Sequence, residues 1–263
     1  MAGSSLYVMI PVLRARVRAA LIHLGFSAVV AISAAAAVFL LWYPWPYTEI
    51  SGGAQLFLLV TGVDLVMGPL ITFVIFDARK RRSELGRDLL LVVLLQLGGL
   101  AYGAYTMYEA RPVVLALERD RFRVVIAATV QTAELSRAPT ALKDLSLTGP
   151  RLIGTRQPEA SDRADAVLLA MAGADLGMRP RYWTEWDSAS RAQTLKAGFR
   201  LEILIKERAG GKPGSELSAA IARTGLPMNQ LRAVPLLARR DGWSVLVDEK
   251  TGDPVGFAPI DSF

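Results

Sequence analysis

The chain of 263 residues contains no cysteine and only one histidine, His23. Without cysteine it can form no disulfide bond, and it has no thiolate to serve as a nucleophile or a metal ligand. Structural zinc sites need several cysteine or histidine ligands, and a serine–histidine–acid triad needs a histidine beside its serine. We interpret His23 as an interfacial residue beside Arg18 rather than as a ligand. We therefore expect no metal and no cofactor, and we predict that the protein is not an enzyme.

The chain also lacks a strong excess of charge of either sign, with 30 Lys and Arg against 24 Asp and Glu. It has no basic stripe with interleaved aromatic residues, so we expect no nucleic-acid partner. The acids of the second half, such as Asp175 and Asp187, are scattered along the sequence. We interpret them as surface or helix-capping residues.

Long apolar runs are present, but only in the first 108 residues. They cover residues 21–43, 55–76 and 88–108. Each is long enough to cross the hydrocarbon core of a bilayer, which needs about 20 residues in a helix. Residues 109–263 have an ordinary soluble composition and enough length for a core of their own. The sequence therefore predicts a membrane protein with three transmembrane α-helices followed by a C-terminal α+β soluble domain.

The first apolar run could alternatively be a signal peptide. Against this, no small-residue cleavage site precedes the aromatic segment 42–47, Trp-Tyr-Pro-Trp-Pro-Tyr. We predict a retained helix, which this segment closes as an aromatic belt at the membrane interface. Met9 is a second candidate for the start of the protein, besides Met1.

Positive charge marks one side of the predicted membrane domain. Three arginines precede the first run, and the loop 77–87 contains five Lys and Arg residues. Basic loops tend to stay on the cytoplasmic side of a membrane. We therefore predict a cytoplasmic N-terminal segment (residues 1–20), a three-helix transmembrane domain (residues 21–108) and a periplasmic α+β domain (residues 109–263). In a bacterium, this layout belongs to the inner membrane.

The second run carries a carboxylate at membrane depth, Asp64, close to a glycine–proline pair. Such a carboxylate is costly in a membrane and usually faces a partner. Helical spacing puts Asp64 roughly on one face with small and hydroxyl residues, and the third run adds a Gly-x-x-x-Gly pattern that allows close helix approach. The candidate residues for a partner-binding membrane face are Thr61, Asp64, Gly68, Pro69, Thr72, Gln96, Gly99 and Gly103.

Three interpretations of this face remain open. In the first, the face packs the three helices against each other, and Asp64 bonds to Gln96 or to a tyrosine hydroxyl. In the second, the face stays open and receives a helix from another protein. In the third, the face lines a pathway for protons or ions, although a single acidic residue at membrane depth is poorly suited to transport. A membrane-embedded hydrolase would need a second catalytic group beside Asp64.

The soluble part mixes helix and strand signals without regular alternation, which favours an α+β fold. Apolar periodicity predicts helices over residues 161–172, 188–198 and 215–224. Branched residues predict strands over residues 124–128, 151–155, 233–238, 243–247 and 254–259. The last two strands join through a turn in which Gly252 takes a positive φ. The aromatic cluster at residues 182–186 is either core packing or a recognition patch.

A series of ordered motifs runs through residues 41–127. It includes the aromatic segment, then Ser51-Gly-Gly-Ala-Gln-Leu56, Gly62-Val-Asp-Leu-Val-Met-Gly-Pro-Leu-Ile-Thr72, Ala101-Tyr-Gly103, Ala110-Arg-Pro112 and Asp120-Arg-Phe122. This series resembles the type IV pilin accessory proteins, the TfpX/TfpZ group. The resemblance is dense over residues 40–127 and sparse afterwards.

The resemblance implies a bacterial inner-membrane protein that assists the stability, presentation or assembly of type IV pilins and has no enzymatic activity. The partners it implies are type IV pilin, other pilus assembly proteins and membrane lipid. Three membrane helices with a periplasmic domain have the layout of a chaperone that binds pilin through both parts. The alternative is a structural subunit of the pilus assembly platform that does not bind pilin directly.

Overall fold

The structure, a computed structural model, describes residues 3–171, 173–208 and 212–263, without the side chains of residues 3–9, 165, 166, 169 and 170. The chain forms two compact units. The membrane unit comprises the chain up to Leu40 together with Ala54–Tyr108, and the soluble unit comprises Leu41–Gly53 together with Glu109–Phe263. Met1, one of the two candidate start residues, lies outside the described residues.

Three long helices carry the apolar runs. Helix α1 (Gly3–Ala37) continues into a π-helical turn over Val38–Trp42, and a short helix α2 (Tyr47–Ile50) follows. The other two long helices are α3 (Gly53–Ile75) and α4 (Arg82–Glu109). By length and composition, three helices are able to cross a membrane, over Ile10–Trp42, Gly53–Ile75 and Arg82–Glu109. The prediction of three transmembrane helices is confirmed.

Two of the long helices begin earlier than the apolar runs. Helix α1 is helical from Gly3 rather than from about Leu21, and α4 starts at Arg82 rather than near Asp88. Hydropathy identifies only the part of a helix that crosses the bilayer, whereas good helix formers such as Arg, Glu and Leu extend the helix beyond it. In the most apolar part of each span, only 6% (α1) or 11% (α3 and α4) of the residues are buried within the chain. Most of this apolar surface is left for lipid or for another membrane helix.

The soluble unit is built on a mixed eight-stranded sheet. Its strands are β1 (Pro112–Glu118), β2 (Arg121–Ile126), β3 (Arg151–Thr155), β4 (Trp183–Thr184), β5 (Phe199–Arg200), β6 (Leu231–Leu237), β7 (Ser244–Asp248) and β8 (Pro254–Ala258). The order across the sheet is β4-β3-β1-β2-β6-β7-β8, and β5 pairs with β6. The pairs β1–β3 and β2–β6 are parallel and the other pairs are antiparallel.

Both faces of the sheet are covered, so β1 is buried along its whole length. The helices of this unit are α5 (Arg163–Met171), α6 (Ser188–Ala197), α7 (Leu201–Arg208) and α8 (Ser215–Thr224). Short 3₁₀ turns cover Ala127–Thr129, Thr132–Arg137, Thr140–Leu142, Leu176–Met178, Pro180–Tyr182 and Met228–Gln230. Helices α7 and α8 pack with β6, β7 and β8 in one core cluster.

The α+β prediction is confirmed, with corrections in detail. The strand predicted over residues 124–128 lies instead at Arg121–Ile126, because Phe122 points into the core while Arg121 and Arg123 flank it at alternate positions. Strand β1 and helix α7 were not predicted. Gly252 has a φ of 76°, as predicted for the turn between β7 and β8. The helix predicted over residues 161–172 begins at Arg163, and residue 172 lies outside the described residues.

The connecting segment, residues 41–53 between α1 and α3, belongs to the core of the soluble unit. Tyr47 and Ile50 share a hydrophobic cluster with Leu117 and Phe122. Ile50 is fully buried, and its carbonyl accepts a hydrogen bond from the Arg240 N–H at 3.0 Å. Two stretches that are distant in sequence therefore complete one core.

The aromatic residues of the connecting segment do not form the predicted interfacial belt. Tyr43 is fully buried, and the Tyr47 ring packs edge-on against Phe257 with a centroid distance of 5.5 Å. The Trp45 ring lies 4.6 Å from the Arg223 guanidinium. The prediction was wrong because an aromatic, proline-rich pattern has the same composition whether it faces headgroups or a folded domain.

Candidate binding groove between the membrane helices

His23 links the three membrane helices. Its Nδ1 lies 2.6 Å from the Thr72 hydroxyl on α3, and its Nε2 lies 2.6 Å from Oε1 of Gln96 on α4. A glutamine Oε1 can only accept, so Nε2 donates to it and, in the neutral ring, Nδ1 accepts from Thr72. The interpretation of His23 as an interfacial residue beside Arg18 missed these contacts with α3 and α4. Its position inside a long apolar run was the available signal, since polar residues at membrane depth usually bond to one another.

Gly68 makes room for this network. It is buried, and a Cβ atom there would overlap the Gln96 amide and lie 3.0 Å from His23 Nε2. Helix α3 continues through the adjacent Pro69, which has no N–H to donate. Nearby, the Gln96 Nε2 donates to the Asp64 backbone carbonyl at 3.4 Å. The glycine–proline pair thus lies at the point where the Gln96 side chain of α4 packs against α3.

The two glycines of the Gly-x-x-x-Gly pattern have different neighbours. A Cβ atom on Gly103 would overlap Val60, so this buried glycine lets α4 approach α3 within the chain. A Cβ atom on Gly99, which is exposed, would lie 3.3 Å from the Asp64 carboxylate. Gly103 therefore serves internal packing, as the first of the three interpretations predicts.

A groove of about 890 Å³ opens between the three helices. Its walls are mostly apolar, and four of the predicted residues line it: Thr61, Asp64, Thr72 and Gln96. Helix α1 contributes residues that recur every three or four positions from Arg14 to Ala34. That face of α1 is about 30 Å long at 1.5 Å per residue, which equals the thickness of a bilayer core. Gly68, Pro69, Gly99 and Gly103 are not among the lining residues.

Asp64 has no partner for its carboxylate among the described residues. The predicted bond between the Asp64 side chain and Gln96 is absent from this part of the chain, because the Gln96 amide bonds to the Asp64 backbone and to His23 instead. An unpaired carboxylate at this depth is costly. The groove thus combines apolar walls, one polar network that is internally satisfied, and one acid that is not.

The aromatic cluster of the soluble unit, residues 182–186, is largely built into its core. Tyr182 and Trp183 are buried, and Trp186 packs near Phe122 and donates to Asp253 at 2.7 Å. The aromatic cluster at residues 182–186 therefore serves core packing rather than recognition. Asp187 caps α6 by accepting from the Ser190 N–H at 2.8 Å, and this hydrogen bond lowers the pKa of its carboxyl group.

Comparison with known proteins identifies the family. Residues 11–52 match the family model described as Fimbrial assembly protein FimB. The chain is 30% identical over 230 residues to the "Fimbrial assembly protein, serogroup E1" of Dichelobacter nodosus, an alignment that covers 87% of this chain and 89% of the relative. The chain belongs to the fimbrial assembly protein family. No solved structure matches it.

Two further members of the fimbrial assembly protein family from Dichelobacter nodosus show similar likeness. The protein of serogroup I is 31% identical over 230 residues, covering 87% of this chain and 89% of the relative. The protein of serogroups C1 and C2 is 38% identical over 117 residues, covering 44% of this chain and 89% of the relative. The family match over residues 11–52 includes the groove-lining face of α1 and nearly all of the connecting segment. The narrower TfpX/TfpZ assignment stays a prediction.

Proposed function

We propose that this protein is an accessory protein of type IV pilus assembly that binds pilin in the inner membrane. Its role is to assist pilin stability, presentation or assembly, and it catalyses no reaction. The observation that carries the proposal is the groove between α1, α3 and α4, which is apolar, has the length of a bilayer core and contains an unpaired acid. The relatives named as fimbrial assembly proteins support the pilus context.

A transmembrane helix fits this groove better than a smaller ligand. Small residues on α1, such as Ala15, Ala19 and Ala31, face the groove and would let a partner backbone come close. Helix association in a membrane depends on such close packing and on interhelical hydrogen bonds. Covering an apolar pilin helix would keep it from aggregating while it waits for assembly.

The connecting segment supports the proposed topology. Residues 41–53 and residues 109–263 form one compact unit, so both lie on the same side of the membrane. The chain between them must therefore cross the membrane an even number of times, and α3 and α4 supply two crossings. The basic residues before α1 and between α3 and α4 favour the cytoplasmic side for the opposite ends. The soluble unit then lies in the periplasm.

We propose that the soluble unit contacts the globular part of pilin, which lies on the same side of the membrane. Helix α5 offers one candidate contact, because Val167, Leu168 and Met171 are exposed by 55%, 65% and 82%. Exposed apolar side chains that lie together commonly mark interaction surfaces.

The proposal is tested by recovering pilin from membranes that contain this protein and pilin but no other pilus component. The groove-filled variant Ala31→Leu/Ala34→Leu should lose pilin, and the control Ala36→Leu, on an exposed position outside the groove, should keep it. If the wild-type protein recovers no pilin in the absence of other components, the alternative of a platform subunit that does not bind pilin replaces the proposal.

A further inference from the structure

The charged groups of the groove are few and lie at separate depths. Asp64 lies on α3, whereas Arg14 and Arg18 line the groove from α1. None of these three side chains has a hydrogen-bond or ion-pair partner within the described residues. The other polar groups at depth, His23, Thr72 and Gln96, are engaged with one another.

The hydrogen bond between His23 and Thr72 places these two residues at the same height along the groove, so the positions of the charged residues can be counted from it. Arg18 precedes His23 by five residues, and Asp64 precedes Thr72 by eight. Helices α1 and α3 run in opposite directions, so the two offsets point to opposite ends of the groove. At 1.5 Å per residue, Arg18 and Asp64 are about 20 Å apart along the groove, which corresponds to about 13 residues of a partner helix.

We propose that the groove selects its occupant by this charge spacing. The inference rests on the proposed function and names the chemistry of the partner: a transmembrane helix with an acidic side chain near one end and, about 13 residues further on, a hydrogen-bond donor. The acid pairs with Arg18, with Arg14 one helical turn further along the groove, and the donor bonds to Asp64.

The length of the groove favours a helix over a lipid as the occupant. Groove-lining residues on α1 extend from Arg14 to Ala34, about 30 Å, which is as long as the two leaflets of a bilayer core together are thick. A phospholipid whose headgroup lay at Arg14 and Arg18 would fill one leaflet and leave Asp64 without a donor. A helix with two polar groups satisfies both ends of the groove.

The test uses the full chain in nanodiscs of phosphatidylcholine, titrated with a fluorescent synthetic peptide of the membrane helix of a type IV pilin from the same organism. Asp64→Leu should weaken binding roughly threefold to twentyfold, the range of an interhelical hydrogen bond in membranes, and Asp64→Asn, which keeps an acceptor oxygen, should bind nearly as the wild type does. Arg14→Gln/Arg18→Gln should weaken binding at least about fivefold. The control Arg81→Gln/Arg82→Gln removes the same charge from exposed positions outside the groove, at the start of α4, and should have little effect.

A double-mutant cycle separates the charge spacing from groove binding in general. Replacing the acid of the peptide by its amide should weaken binding to the wild type and have no further effect on Arg14→Gln/Arg18→Gln. Independent, additive effects would overturn the proposed contact but leave pilin binding in the groove intact. Absence of any peptide binding would overturn both proposals. If added phosphatidylglycerol displaces the bound peptide, and if this displacement depends on Arg14 and Arg18 but not on Asp64, the occupant of the groove is a lipid and the proposed helix is overturned.

Discussion

The replacement Ile50→Ala should destabilise the soluble unit although Ile50 lies in a short connection between two membrane helices. Ile50 is fully buried in the cluster that contains Leu117, Phe122 and Val245. Truncation of a buried isoleucine to alanine costs about 2–5 kcal/mol through lost burial and the cavity left behind. For a unit of about 150–250 residues, each kcal/mol lowers the melting temperature by roughly 2–4 °C, so we expect a decrease of about 4–20 °C.

Intrinsic tryptophan fluorescence reports this unfolding selectively, because all five tryptophans of the chain lie in the soluble unit. The full chain in detergent is heated while the emission maximum is followed. Ile32→Ala, the same substitution at a residue of α1 that is 70% exposed, is the control and should leave the transition unchanged. If Ile50→Ala melts within 1 °C of the wild type, the connecting segment does not complete the core and the reasoning from its burial is refuted.

Further predictions concern the packing of the membrane unit and one buried phenol. Gly68→Ala should destabilise the membrane unit by about 1–3 kcal/mol, because its Cβ would displace Gln96; size-exclusion profiles after heating should show earlier aggregation than for Gly62→Ala, where a Cβ meets no atom within 4 Å. Gly103→Leu should lower the yield of folded protein in membranes through collision with Val60, and Gly98→Leu, which has open space, should accumulate normally. Burial raises the pKa of Tyr43 to about 12, so its neutral form stabilises the fold fully below pH 10 and this contribution is lost as the pH rises toward 12. Melting temperatures from tryptophan fluorescence should therefore fall more steeply above pH 10 in the wild type than in Tyr43→Phe; parallel curves would contradict the assignment.

The sequence was sufficient for those features that depend on local patterns. The three membrane helices follow from the length of apolar runs, and the turn at Gly252 follows from the need for a positive φ between two strands. The prediction placed strand β2 too late in the sequence. Phe122 lies in a charged stretch, and the many charged residues there concealed the alternation of buried and exposed positions that is typical of a strand.

The groove was predicted only in part. Thr61, Asp64, Thr72 and Gln96 were identified because polar residues are rare at membrane depth, and the structure brings them to one groove. The contribution of α1 was missed, because the polar His23 marks one face of this helix but not the residues that the face contacts. His23 shows the reason: its role depends on contacts with residues 49 and 73 positions away, which no local pattern contains.

The participation of the connecting segment in the soluble core also determines the order in which the protein can fold during synthesis. Residues 41–53 leave the ribosome long before strands β6 and β7, against which Tyr47 and Ile50 pack. The soluble core therefore remains incomplete until α3 and α4 have both been inserted and the C-terminal half lies on the same side of the membrane as residues 41–53. If one helix were inserted wrongly, Tyr47 and Ile50 would lie on the opposite side of the bilayer from the rest of the core. The soluble half would then stay unfolded and accessible to proteases. Folding of the soluble unit thus depends on correct insertion of the membrane helices.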